Sequence, residues 1–304
     1  MFFVIQVDRH RSDAPELLGT KRKFWFLDDA GCRWLFKAEE RGTGEDWAEK
    51  ISCELAARLG LPHVHYELAE ESDGTPGVVC ASIATNGRQL VLGNQLLLER
   101  DTHYPTDDVR HYKVRAHTVE AVANVLKRLE LPTSEWTPNL PAGIVSALDR
   151  FLGYVMLDAL VANQDRHHEN WGALRVDGVL RLAPTFDHGA SLARNLADDE
   201  RQSRLRSIDR GFQIPSFARR ARSAFYAKEE SPKAMGTHEA WQAFARLAPS
   251  AAQAWRERLR AIDAATINHL LQEIPPNRLT AIGQRFTAAL LLENQRRIVA
   301  GEPT

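Results

Sequence analysis

Apolar and polar positions alternate through the first hundred residues and then give way to helical spacing. Residues 2–7, 23–27 and 33–37 read as strands, the last two joined by an Asp-Asp-Ala-Gly turn. A helix is predicted over 45–59, where Ile51, Leu55 and Leu59 form one apolar stripe with Trp47 and Ala48. Thr43 and Asp46 have the spacing of a capping box ahead of it, and Gly60 and Pro62 close it. Strand patterning resumes at 64–68 and 77–84, around the turn-forming ESDGTP. From about residue 107 the apolar residues recur at helical spacing, over 112–129, 141–161 and most of 239–301. A hairpin turning at Asp177-Gly178 is the main interruption, and the arginine-rich stretch 194–230 reads as a long, partly mobile loop. The pattern predicts an α+β protein with a sheet-rich lobe carrying one helix over 1–100 and a helical lobe over 101–304.

Composition narrows the class. A chain of 304 residues, 44% hydrophobic, is long enough for one large core or for two lobes sharing a cleft. A formal net charge of −1 supplies no global field to draw nucleic acid or an anionic membrane, so no direct contact with either is expected. No apolar segment approaches the length of a membrane span. Cys32, Cys53 and Cys80 are odd in number, widely spaced and without a C-x-x-C, which argues against a disulfide framework and for a reducing, cytoplasmic setting. The opening MFFVIQVDRHRSD has too short an apolar run for a signal peptide and reads as a strand.

The chemistry concentrates in residues 163–187, NQDRHHENWGALRVDGVLRLAPTFD. Asp165 and Asn170 lie five apart, followed by the Asp-Gly hairpin and then by Asp187. With Asp177-Gly178 as a type I′ turn, position 176 faces 179, and continuing the register sets 170 opposite 185. Asn170 and Asp187 then share the open end of the hairpin beside Asp165, a set of oxygen donors suited to a hard cation carrying phosphate. The order base, ligand, ligand is that of protein-kinase-type phosphotransferases. A zinc hydrolase centre at His167, His168 and His188 fits less well: adjacent histidines diverge, and no His-x-His or H-E-x-x-H spacing accompanies them.

A cation for the ATP phosphates is expected from the sheet-rich lobe, and Lys37 stands at a strand end just before the 45–59 helix. Glu49 borders that helix's buried stripe and is preferred to Glu45 or Glu54 as its partner. Within LLGTKRKFWF, Gly19 offers a tight turn, and Lys21 or Lys23 a charge, for a phosphate-covering loop. There is no G-x-G-x-x-G and no Walker A sequence, which argues against Rossmann and P-loop folds.

These residues resemble a family. LVANQDRHHENWG followed by RLAPTFDHGASL is similar to the HipA-like serine/threonine kinases, and Asn163, Asp165, His167 and Asn170 reproduce their N-x-D-x-H-x-x-N. The likeness extends over roughly residues 15–290, through Lys37 and AEKISCELAARLGLP with Glu49. It implies a two-lobed protein-kinase-like fold in which Asp165 is the catalytic aspartate, Asn170 and Asp187 hold Mg2+, and Lys37 binds ATP. His167 falls where eukaryotic kinases commonly place a lysine, two residues after the aspartate. The implied activity is phosphorylation of a protein Ser/Thr hydroxyl. The implied partners are a protein substrate, such as an aminoacyl-tRNA synthetase or another translation component, and a small helix-turn-helix antitoxin. The chain is shorter than the better-known toxins of the family, on the N-terminal side, so their mode of pairing with an antitoxin is not carried over. In related kinases phosphorylation of a serine in the phosphate-covering loop switches the enzyme off, which singles out Thr20, with Ser12 as the fallback. Two other readings remain: a small-molecule kinase of the aminoglycoside-phosphotransferase type, and a nucleotide-binding pseudokinase module.

Overall fold

The computed structural model describes residues 1–15, 22–39, 42–85, 87–106, 113–136 and 139–301. Strands β1 (Val4–Val7), β2 (Ser12–Pro15), β3 (Lys23–Leu27), β4 (Arg33–Ala38), β5 (Tyr66–Glu71) and β6 (Pro76–Ala81) form one sheet, ordered β1-β5-β6-β4-β3-β2. Only β1 and β5 run parallel; the other neighbours are antiparallel. The two-residue period divides the faces. Phe24, Phe26, Phe36 and Val79 pack on one side, while Leu35, Tyr66, Leu68, Val78 and Cys80 meet the larger core on the other. Lys37, two residues after Leu35, therefore points to the Leu35 side.

Helix α1 (Glu45–Leu59) covers that side, with Trp47, Ile51, Leu55 and Leu59 buried as the stripe requires. Its start differs from the predicted capping box. Thr43 does not cap it; the cap residue is Gly44 at φ 76°, where an added Cβ would lie 1.8 Å from the Trp47 indole nitrogen. The buried Glu39 carboxylate takes over, accepting the N–H groups of Thr43 at 3.1 Å and Glu45 at 2.6 Å. A buried anion at a helix N-terminus both satisfies orphan donors and complements the dipole. The helix ends at Gly60 in the left-handed region, as predicted.

The remaining elements are largely helical: α2 (Gly93–Arg100), α3 (Val119–Leu126), α4 (Ala147–Val161), α5 (Asp198–Arg206), α6 (Ile214–Ala218), α7 (Thr237–Leu247), α8 (Pro249–Arg260), α9 (Ala264–Gln272) and α10 (Ala281–Ala300). All of α4 except Asp149 is buried, which explains its near-continuous apolar sequence. A second sheet, β7 (Gln89–Leu92), β8 (Gly172–Val176) and β9 (Val179–Leu182), lies among these helices. The chain thus passes from the first sheet to the second between Ala81 and Gln89.

The stretch 194–230 is not the partly mobile loop expected of it, since α5 and α6 lie within it. The signal of α5 was hidden because arginine does its packing, and α6 spans only five residues. The Arg204 guanidinium lies 4.2 Å and 4.6 Å from the ring centres of Phe212 and Phe217, and Arg201 donates to Asp198 and to the Arg194 carbonyl. Long cationic stems can bury like apolar ones, so apolar periodicity misses such helices. No helix among the described residues is long and apolar enough to cross a membrane.

Candidate active site

A cleft of about 390 Å3 opens between the six-stranded sheet, α1 and the β7-β8-β9 sheet. Lys37, Glu49, Asp165, His167, Asn170 and Asp187 all line it. Six of the eight residues singled out from the sequence are thereby brought to one place; Gly19 and Lys21, with Thr20, lie outside the described residues.

The hairpin register is as predicted near the turn, with Val176 opposite Val179 and Ala173 opposite Leu182. It does not run on to pair 170 with 185. The ladder ends at Ala173, and Thr185 instead bridges in parallel to His63, its N–H donating to the Pro62 carbonyl at 2.8 Å. The strand after β9 has thus left its hairpin partner for the connection between α1 and β5, which carries Asp187 beneath Lys37.

Asp187 adopts φ 61°, a left-handed conformation seldom taken by non-glycine residues. Three contacts hold the turn. The Lys37 ammonium donates to Asp187 Oδ1 at 2.9 Å, and the N–H groups of His188 and Gly189 donate to Glu49 Oε1 and Oε2 at 2.7 and 3.1 Å. Glu49 Oε2 is also 3.9 Å from Lys37 Nζ. The two rejected candidates serve other cations: Glu45 pairs with Arg194, and Glu54 with Lys50 and Arg58. Burial alone would lower the Lys37 pKa, but Asp187, Tyr66 and Glu49 outweigh it and hold the ammonium well above its ordinary value. The side chain therefore stays cationic through the neutral range.

Asp165 follows the end of α4. Ala162 turns the chain at φ 54°; Asn163 then donates to Asp158 Oδ1 at 2.8 Å and accepts the Asp165 N–H at 3.1 Å. The Asp165 side chain remains 44% exposed, so an acceptor from solvent can reach it, and His167 Nε2 lies 3.7 Å from its Oδ1. The Glu169 N–H donates to His167 Nδ1 at 3.2 Å, which assigns the neutral ring's proton to Nε2 on the Asp165 side. Asn170 Nδ2 donates to the Asp165 carbonyl at 2.7 Å, leaving Oδ1 as its free donor atom for a cation. Asn170 Oδ1 and the Asp187 carboxylate are hard oxygen donors, which fits Mg2+ better than zinc.

Sequence reasoning missed Arg166 and Asp158. Arg166, 1% exposed, donates to both Asp158 oxygens at 2.8 Å, to the Asn170 carbonyl at 2.6 Å and to the Phe186 carbonyl at 3.2 Å. One guanidinium thus joins α4, the Asp165 loop and the Asp187 turn. The available signal was Asp158 itself, an acid inside GYVMLDALV, which a buried helix tolerates only with a partner.

The mixed sheet-and-helix fold, with a cleft between the sheets, is of the protein-kinase-like class. The chain belongs to the HipA-like family: the family model described as HipA-like C-terminal domain matches residues 16–266. No curated protein sequence matches. Among solved structures it is similar to the Helicobacter pylori proinflammatory kinase CtkA, at TM-score 0.73 and 18% identity over 98% of this chain and 96% of that one. It is also similar to Shewanella oneidensis HipA, from a toxin–antitoxin complex with HipB and operator DNA. There the TM-score is 0.51 and the identity 14%, over 96% of this chain and 68% of that one.

Proposed function

We propose that the protein is an ATP- and Mg2+-dependent kinase that phosphorylates a Ser or Thr hydroxyl of a protein. The observation that carries this reading is the convergence on one cleft of a half-buried Lys–Asp ion pair at 2.9 Å, a ligand-competent Asn170 and an accessible Asp165. The apolar wall formed by Leu35, Val64, Val78 and Leu90 offers a purine a surface, with the backbone of 81–83 at its rim. Lys37 would turn its ammonium to the phosphates while Glu49 keeps it and the Asp187 turn in place. Mg2+ held by Asn170 and Asp187 would neutralise phosphate charge. Asp165 would accept the proton of the attacking hydroxyl, and His167, beside it, would face the transferring group.

The exposed Arg206, Arg210, Arg219 and Arg220 follow the Asp187 turn in the chain and would suit an acidic protein surface. A translation component such as an aminoacyl-tRNA synthetase is the substrate class the family suggests. A small helix-turn-helix antitoxin is the corresponding partner, and the similarity to a HipA bound to HipB supports including it. We place the protein in the cytoplasm and assign it no direct contact with nucleic acid.

Incubation with γ-labelled ATP and Mg2+, alone and with a ribosome-free lysate, tests this. Label on protein Ser or Thr is the expected result. Label only on small molecules would move the assignment to a small-molecule kinase, and nucleotide binding without any transfer would reduce the protein to a binding module.

A further inference from the structure

At the second half of α1, Cys53, His63 and His65 present one ligand atom each, all within 4.8 Å of one another. The His-x-His spacing lacking around the catalytic loop stands here, at 63–65. Extended backbone sends alternate residues to opposite sides. Val64 and Tyr66 line the nucleotide cleft, and His63 and His65 do not. We propose that Cys53, His63 and His65 form a site for a zinc-class divalent ion, distinct from the cleft.

The surroundings are those of a supported metal centre. A ligating histidine ordinarily gives its second ring nitrogen to a carbonyl or carboxylate, which fixes its orientation. Both do so here. His63 Nδ1 donates to the Leu61 carbonyl at 2.7 Å, leaving Nε2 as the donor atom, and His65 Nε2 meets Glu67 Oε1 at 2.6 Å, leaving Nδ1, which lies 3.9 Å from Cys53 Sγ. Burial pushes the Cys53 thiol up to about 12, partly offset by the Tyr66 N–H that the sulfur accepts at 3.3 Å, so the ion itself has to displace the thiol proton. Glu67 is itself anchored, its Oε2 2.8 Å from the buried Lys50 ammonium.

Bonds of ~2.0–2.3 Å to nitrogen and sulfur place tetrahedral ligands about 3.3–3.8 Å apart. The present spacing therefore closes by roughly an ångström of side-chain rotation. The His65 side chain is 59% exposed, so it has the freedom to make that movement and leaves an entry path. Soft sulfur with two imidazoles selects zinc, cobalt or copper over magnesium. On binding, the Cys53 S–H bond breaks, a metal–sulfur bond forms and the proton passes to water, with no change of oxidation state. The fourth position is left to solvent. The ion would fasten α1, one turn beyond Glu49, to the connection leading into β5.

Cobalt(II) titration of the full chain, free of nucleotide and magnesium, reads the site directly. One equivalent should produce a thiolate-to-cobalt charge-transfer band and the intense visible absorption of a four-coordinate ion, both removed by zinc. Cys53→Ser should lose the charge-transfer band, and Cys32→Ser should keep it. His65→Gln, at an exposed position that leaves the core intact, should weaken binding at least tenfold, and Glu67→Gln by about 10–100-fold. A folded wild-type protein without the band, a band that follows Cys32, or wild-type affinity in His65→Gln would overturn the proposal.

Discussion

Glu49 shows how a residue's neighbours set its task. Chosen from the sequence because it borders a buried stripe, it is 2% exposed and divides its two oxygens between the His188 and Gly189 N–H groups. Its link to Lys37 is the longer contact, 3.9 Å against 2.9 Å for Asp187. Glu49→Gln should therefore behave almost as Glu49→Ala, because an amide can accept only one of the two N–H groups and turns a donor toward the other. Each lost bond at a buried site costs about 1–3 kcal/mol, and weakened Mg-ATP binding, measured by calorimetry, is the expected readout. Near-normal binding in Glu49→Gln would mean that neither the charge near Lys37 nor the second N–H bond is needed to hold the site. Lys37→Ala should raise the Michaelis constant for ATP, and a double-mutant cycle with Glu49→Ala should show non-additive losses.

Among the elements, α4 and the loop after it are joined by the Asp158–Arg166 pair, of which the local pattern marks only the acid. The sequence showed the helix, the hairpin turn and the register next to that turn, because those rest on period and on Asp-Gly chemistry. It did not show that Thr185 would leave β9 for His63, since that depends on where the α1–β5 connection lies. Arg166→Ala would strand Asp158 as a buried charge, and removing one partner of such a pair costs about 3–5 kcal/mol. A chemical-denaturation midpoint should fall accordingly, and a surviving fold should bind Mg-ATP poorly.

His117 supplies a pH dependence in the same region. It accepts the Trp171 indole N–H at Nε2 (3.1 Å) and meets the Ala224 carbonyl with Nδ1 (3.0 Å), so it must be neutral. Burial presses its pKa down to about 3 from 6.5. The unfolded chain then binds the extra proton, and stability falls as pH drops below 6.5 toward 3, by up to about 1.4 kcal/mol per pH unit. Unfolding midpoints at pH 7 and 5 should differ less in His117→Gln, whose amide oxygen can still accept from Trp171. An equal difference in both proteins would assign the effect to other groups.

At the scale of the whole molecule, polar contacts bind the six-stranded sheet to the late helices. Arg278, beyond α9, donates to Asp46 on α1 at 2.8 Å and to the carbonyls of Ala69 and Gly77 at 2.7 and 3.1 Å, and the Phe2 N–H donates to the Glu273 carbonyl at 2.7 Å. A sequence pattern cannot foresee such ties, which unite residues more than two hundred positions apart. The α+β class and the sheet-to-helix order were legible because each rests on local periodicity. α5 was not, because its arginines pack where apolar residues ordinarily would, and α6, five residues long, is too short to show a period.

All of this geometry bears on one claim, that Asp165 acts on the acceptor hydroxyl while Asp187 acts on Mg-ATP. Paired measurement of phosphoryl transfer and of Mg-ATP affinity in Asp165→Asn and Asp187→Ala tests it. Asp165→Asn should lose transfer by about 10²–10⁴-fold, the usual worth of a positioned acid or base, and keep wild-type nucleotide affinity. Asp187→Ala should lose the affinity itself. Near-wild-type transfer in Asp165→Asn, with nucleotide affinity equally reduced in both variants, would contradict the account.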